Sequence, residues 1–220
     1  LIFFYTDSSY IEPTNEGEPL MAILEVLRFP DPRLRELSLP VKEVTAELQT
    51  LADDMVETMY SSAGIGLAAP QIGALVRLLV IDVRPKENGR YKIDEMTELE
   101  QAVQYPLIIF NPEIIKTEGS TTYEEGCLSV PSFYETVKRA DYIECVGLDR
   151  QGQKLKFKAD GLLAICLQHE IDHLDGKLFI DRLSLVKSNR IKSQIKKHGY
   201  PAKTKKRDSS EDDEHSGETL

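Results

Sequence analysis

Apolar residues recur along this chain with two different periods. Leu48, Leu51, Met55 and Met59 fall at helical spacing, with Asp53, Asp54 and Glu57 off the stripe. That pattern predicts a helix capped by Thr45, running to Met59 and ended by the small residues at 61–64. Before it, residues 29–35 form a turn with at most one helical turn. Residues 77–83 read as a buried strand. Residues 84–105 are charged and without period, and read as a surface insertion. Short strands are predicted at 107–110, 113–117 and 120–124, and a hairpin at 141–148 and 154–157 around Asp149-Arg150-Gln151-Gly152. An apolar helix follows, opened by a plausible N-cap at Asp160 and closed by Gly176 at the C′ position. A short strand at 178–180 and a last helix at 185–197 complete the pattern, with Ile191 and Ile195 on one side of that helix. Short antiparallel strands around one helix give an α+β fold. No internal repeat is present.

The length allows one domain with a sizeable core, expected at 21–201. Residues 1–20 fit poorly with the rest. They carry Asp7, Glu12, Glu16 and Glu18 with no Lys or Arg, unlike a targeting presequence. Met21-Ala22 reads as a natural start, so residues 1–20 are expected to be a misassigned or non-native extension. Residues 202–220 are polar and are expected to be a disordered charged tail. Three widely spaced cysteines do not suggest a disulfide framework, which points to a reducing compartment such as the cytoplasm. No apolar run is long enough to span a membrane. The net charge of -10 argues against general affinity for DNA.

The apolar helix carries unexpected chemistry. Gln168-His169-Glu170-Ile171-Asp172-His173 contains His-Glu-x-x-His, a metal-hydrolase arrangement. His169 and His173 leave one helix face a turn apart, and Glu170 beside them can reach a metal-held water. A surface helix with two satisfied histidines is the plain alternative. The apolar run upstream disfavours it, because buried helices rarely carry two His and a Glu without partners.

A catalytic site needs three protein ligands and an open position. A third His further along would fall where the chain has Phe179, and the next Glu after Glu170 is Glu211. The third ligand therefore lies upstream, among the cysteines. Cys166 shares the helix face of both histidines, but a straight helix spreads those Cα atoms over roughly 10 Å. Cys145 lies in a strand, where a free Cys is usually a small hydrophobe. Cys127 sits between Gly126 and Pro131 at an irregular strand end, where a thiolate can turn towards a ligand. Cys127, His169 and His173 are the predicted ligands.

Taken together, Gly64-Ile65-Gly66-Leu67-Ala68-Ala69-Pro70-Gln71, Glu125-Gly126-Cys127-Leu128-Ser129 and the His-Glu-x-x-His stretch resemble the three ordered signatures of peptide deformylase. The resemblance runs from Met21 to about Lys197, and the family's fold agrees with the α+β reading. It implies hydrolysis of the N-formyl group on the N-terminal methionine of newly synthesised proteins, releasing formate. Ferrous iron would be the native metal, with zinc, nickel or cobalt as substitutes. Glu170 would be the base and proton carrier. Gln71, otherwise an ordinary loop residue, becomes an oxyanion donor together with the Leu128 backbone N–H. By position Ile65, Tyr123, Leu162, Ile165 and Cys166 are candidates for the methionine pocket, each with plain core as the alternative, and Gly66 and Gly126 bring backbone close to the substrate. Glu125 and Arg139 match family positions and would pair behind the Cys127 loop. Tyr134 departs from an Arg common in bacterial relatives. A metal-dependent endopeptidase or another amidase is the rival reading.

One further feature bears on partners. From Arg182 to Arg207 this acidic chain has no Asp or Glu. That basic segment is an electrostatic footprint for RNA phosphate and, since nascent chains are the implied substrate, a candidate for docking on the ribosome; a solvated helix followed by a tail whose acidic end balances its basic start is the plain alternative.

Overall fold

The computed structural model describes residues 22–85 and 95–200. The expected extension at 1–20, the expected tail at 202–220 and part of the charged insertion fall outside the described residues.

Strand β2 (Leu78–Ile81) fixes the architecture, because all four of its residues are buried. Alternation along it serves two helices. Leu78 and Val80 pack with Met55 and Met59 of α1 (Ala46–Ser61). Leu79 and Ile81 pack with Leu163 and Leu167 of α3 (Gly161–Leu174). A strand covered on both faces reads as a continuous apolar run, as this one does. The remaining strands are β1 (Gly66–Ala68), β3 (Leu107–Glu118), β4 (Thr121–Cys127), β5 (Val130–Arg139), β6 (Tyr142–Leu148) and β7 (Lys154–Ala159). Five form an antiparallel sheet in the order β1-β2-β3-β6-β7, and β4 pairs with β5 in a second sheet. The last helix, α4 (Leu185–His198), buries Ile191 and Ile195 against Val130 and Val137 of β5 and Phe179. The α+β expectation holds.

Helix α1 begins as read, with the Thr45 side chain accepting from the Leu48 N–H, and Met55 and Met59 are core. Helix α3 is buried almost all round, with its apolar run towards the N-terminus and its polar groups towards the C-terminus. Its N-terminus differs from expectation. Asp160 occupies the N-cap position but makes no capping bond, and its carboxylate accepts from the Thr97 hydroxyl instead. The Leu163 N–H is taken by Glu100, at 3.1 Å from Oε1, while Oε2 accepts from the Thr97 N–H at 2.8 Å. Glu100 lies on α2 (Glu98–Gln101) and is fully buried. This end of the charged insertion is therefore packed structure and not surface. An anionic carboxylate at a helix N-terminus is favoured by the exposed N–H groups and their dipole. Gly176 ends α3 at φ +68, as expected, and a Cβ there would meet Arg35 O at 2.5 Å.

Three strand expectations need correction. The two pieces at 107–110 and 113–117 are one strand, β3, with a register shift between Phe110 and Glu113. Asn111 absorbs the irregularity at φ +50, and its side chain satisfies both Val41 N–H and Val41 O. Strand β5 went unseen, because its inward positions include the charged Glu135 and Arg139. Residues 178–180 are not a strand: Phe179–Asp181 is a 3-10 turn, drawn tight by Asp181 accepting from the Leu178 N–H at 2.9 Å.

Candidate metal centre

Helical spacing puts His169 and His173 one turn apart on α3, with their Nε2 atoms 3.2 Å from each other. Cys127 arrives from the end of β4. A register shift separates it from Glu125 in the ladder, where it pairs with Val130, and its Sγ lies 3.2 Å from His173 Nε2. The three donor atoms lie within 4.8 Å of one another. Ligands at 2.0–2.3 Å from one tetrahedral ion would stand about 3.3 to 3.6 Å apart. A thiolate with two imidazoles is also a recognised donor set for divalent transition metals. Geometry and chemistry both fit a single ion.

The other cysteines stand outside that triangle. Cys166 lies at the cavity wall with its thiol 3.7 Å from Ile65 O, and burial pushes its pKa well up. Cys145 is core in β6, its thiol pushed by burial to about 11.

Behind His169 runs a chain of buried charges. Its Nδ1 is 2.8 Å from Glu125 Oε2. Arg139 donates a fork to Glu125, at 2.7 and 2.9 Å, and its third nitrogen to Asp172 at 2.6 Å. Asp172 in turn accepts from both Nε and Nη2 of Arg182. The expected pairing of Glu125 with Arg139 is present. Sequence reasoning missed Asp172 and Arg182, although a carboxylate between two histidines on an apolar helix was itself a signal. Burial works to raise the Glu125 carboxyl, but Arg139 and His169 outweigh it and hold it at about 2. Burial pushes the His173 imidazole well below its ordinary range, whereas at His169 burial is outweighed by Cys127 and Glu125, which push that imidazole well up; a metal ion would need both as neutral ligands.

Glu170 leaves α3 next to His169. Burial pushes its carboxyl up to about 7, and its Oε2 has no protein partner among the described residues. An unpartnered buried carboxylate oxygen at the edge of a cavity suits a group waiting for water or substrate. Gln71 lies in the 3-10 turn Ala69–Ile72. Its Oε1 accepts from the Ala68 N–H at 2.8 Å, and its Nε2 stands 3.2 Å from Ser129 Oγ and 3.6 Å from Cys127 Sγ. The amide is thus held beside the donor triangle.

A cavity of about 670 Å³ opens onto these groups. Cys127, His169, Glu170, Gln71 and Leu128 line it, as do all the residues expected to meet substrate: Ile65, Gly66, Tyr123, Glu125, Gly126, Leu162, Ile165 and Cys166. His173 lies behind the wall. The cavity also takes in Arg28 and Phe133, which the sequence does not place there, and Tyr134, the position that departs from the family's Arg. The Tyr134 ring covers Gly126, where a Cβ would meet its Cε1 at 2.6 Å. Only a glycine lets the ring settle so close.

Among the described residues no helix is long and apolar enough to cross a membrane. The family model for polypeptide deformylase matches residues 23–189. A peptide deformylase of Alkalilimnicola ehrlichii is 49% identical over 177 residues, covering 80% of this chain and 91% of that protein. The crystal structure of a peptide deformylase from Legionella pneumophila aligns with a TM-score of 0.67 at 44% identity, covering 80% of this chain and 95% of that one. A class I type b peptide deformylase from Acinetobacter baumannii, solved with Met-Ala-Ser bound, aligns with a TM-score of 0.66 at 32% identity, over 74% of this chain and all of that one. On this evidence the chain belongs to the polypeptide deformylase family, metal-dependent hydrolases that remove the N-formyl group from the N-terminal methionine of newly made proteins.

Proposed function

We propose that Cys127, His169 and His173 hold the divalent ion and that Glu170 moves the proton in deformylation. The convergence of three donor atoms beside the unpartnered Glu170 carries this reading. A divalent cation held by Cys127, His169 and His173 would supply positive charge against the amide carbonyl and would acidify water. Glu170, near neutrality in its own pKa, takes the proton from the attacking water and returns it to the departing nitrogen. One N–H of the Gln71 amide, turned from Ser129 Oγ, and the Leu128 N–H stabilise negative charge growing on the carbonyl oxygen. Ile65, Tyr123, Leu162, Ile165 and Cys166 bound the space for the methionine side chain, with Gly66 and Gly126 giving the peptide close access to backbone. The products are formate and a free amino terminus.

Ferrous iron is our assignment for the native ion, on the family resemblance. The same donors accept zinc, nickel or cobalt. The three free cysteines suit a reducing compartment, and we place the protein in the cytoplasm. The reading is tested by following release of the free amino terminus from formyl-Met-Ala-Ser and from its acetylated counterpart. Wild type should cleave the first far faster. Glu170→Ala should keep bound metal while turnover falls by about 10² to 10⁴. Loss of the ion from that variant sinks the assignment.

We also propose that the basic side of α4 docks on ribosomal RNA. Ile191 and Ile195 face the core, leaving the basic positions outward. Several of these cations already have partners: Lys187 and Arg190 pair with Glu135, and Lys192 with Asp181. Docking therefore leans on Lys196, Lys197 and the basic residues at 203–207, which lie outside the described residues. Reversing the exposed charges in the full-length chain, Lys196→Glu with Lys197→Glu, should weaken ribosome binding steeply and spare cleavage of a short peptide. The binding should weaken steeply with salt. Salt-insensitive binding rules it out.

A further inference from the structure

The charges behind His169 do not balance without a surface residue. Glu125 and Asp172 are two buried carboxylates, and Arg139 is one buried guanidinium shared between them. Their side chains are 3%, 6% and 3% exposed. A buried carboxylate left without a counter-charge is strongly unfavourable. The second positive charge comes from Arg182, whose side chain is 45% exposed and reaches in from the turn before α4. It takes Asp172 with two nitrogens: Nε lies 2.9 Å from Oδ2, and Nη2 takes Oδ1.

We infer that Arg182 is a positioning residue for the metal centre, acting on His169 through Asp172, Arg139 and Glu125. This rests on the reading of Cys127, His169 and His173 as ligands. The transmission follows from shared atoms. Asp172 Oδ2 accepts from both Arg182 and Arg139. Glu125 Oε2 accepts from Arg139 and meets His169 Nδ1. Without Arg182, Asp172 Oδ1 loses its partner and the carboxylate competes harder for Arg139. Arg139 uses Nε and Nη2 on Glu125 and Nη1 on Asp172, so it cannot turn towards one without loosening its fork on the other. The oxygen that orients the His169 ring then moves, and so does the ligand nitrogen across the ring. Outer groups that orient a metal-bound imidazole commonly change metal affinity by about 10- to 100-fold.

A plain clamp between residue 182 and α3 would affect stability alone. The discriminating readout is release of metal from the full-length, cobalt-loaded protein to a chelator, followed by loss of the thiolate-to-cobalt absorption. Arg182→Ala should release cobalt about tenfold faster than wild type. Arg182→Lys keeps the charge without the fork and should fall between. Arg150→Ala removes a comparably exposed arginine from a surface pair with Asp53, outside the cavity lining, and should release at the wild-type rate. Release from Arg182→Ala within twofold of wild type, or equal acceleration by Arg150→Ala, overturns the proposal. Absence of a thiolate-to-cobalt band in wild type overturns the ligand assignment and the positioning role with it. A normal wild-type band with unchanged release from Arg182→Ala overturns the positioning role alone.

Discussion

Gly66 lies against Glu170 so closely that a Cβ at position 66 would stand 2.4 Å from Glu170 Oε1 and 2.8 Å from Cys166 Sγ. The strand β1 backbone thus sets where the carboxylate sits. Gly66→Ala should push Glu170 aside without touching the donor triangle. Turnover should fall roughly ten- to a hundredfold, as expected for a misplacement of about 1 Å. Metal content should stay at wild-type stoichiometry. Unchanged turnover would show that Glu170 has room to yield.

The cysteines separate by role. Cys127→Ser replaces a soft thiolate with a poor ligand and should weaken metal binding sharply. Cys166→Ala removes a buried sulfur whose hydrogen bond among the described residues is to Ile65 O, outside the donor triangle, so metal stoichiometry should hold. Its stability cost should stay near 1 kcal/mol, the scale of a small cavity. Elemental analysis of both variants decides it, and the reverse result would falsify the donor assignment.

Glu100 caps the helix that carries both histidines, from outside that helix. Glu100→Ala leaves the N–H groups of Leu163 and Thr97 without that carboxylate in a buried setting. The cost should be roughly 2 to 4 kcal/mol, the sum for two orphaned donors. Chemical denaturation measures it. The histidines lie towards the far end of α3, so turnover per folded molecule should stay within about twofold. A variant as stable as wild type would show that α3 needs no such cap.

Alkaline stability should depend on Tyr60. Burial, and then its hydrogen bond to Asp82 at 2.6 Å, raise the phenol to about 12. A raised folded pKa contributes stability that is whole below the ordinary value of 10.0 and is lost as pH rises towards about 12. Tyr60→Phe should cost roughly 1.5 to 3 kcal/mol at pH 7, the range for a hydrogen bond to a charged partner. Between pH 10 and 12 wild type should lose stability faster than the variant. Parallel curves in that window would remove Tyr60 from the account.

Local periodicity carried the elements whose information is local. The stripe through Met55 and Met59 placed α1, and the four-residue step from His169 to His173 placed both imidazoles on one face of α3. Geometry along that helix also set Cys166 aside, and the backbone around Gly126 and Pro131 pointed to Cys127. What stayed hidden depends on partners far away in the chain. Strand β5 carries Glu135 and Arg139 at inward positions, which breaks the apolar alternation that reveals a strand. Glu135 is satisfied by Lys187 and Arg190, and Arg139 by Glu125 and Asp172. Asp160 looked like the cap of α3, but Glu100 holds the Leu163 N–H from 63 residues away. Arg182 read as one more cation in a basic run until Asp172 was seen to need it. A charge is tolerated in the interior only where its counter-charge arrives, and only the tertiary fold decides which one does.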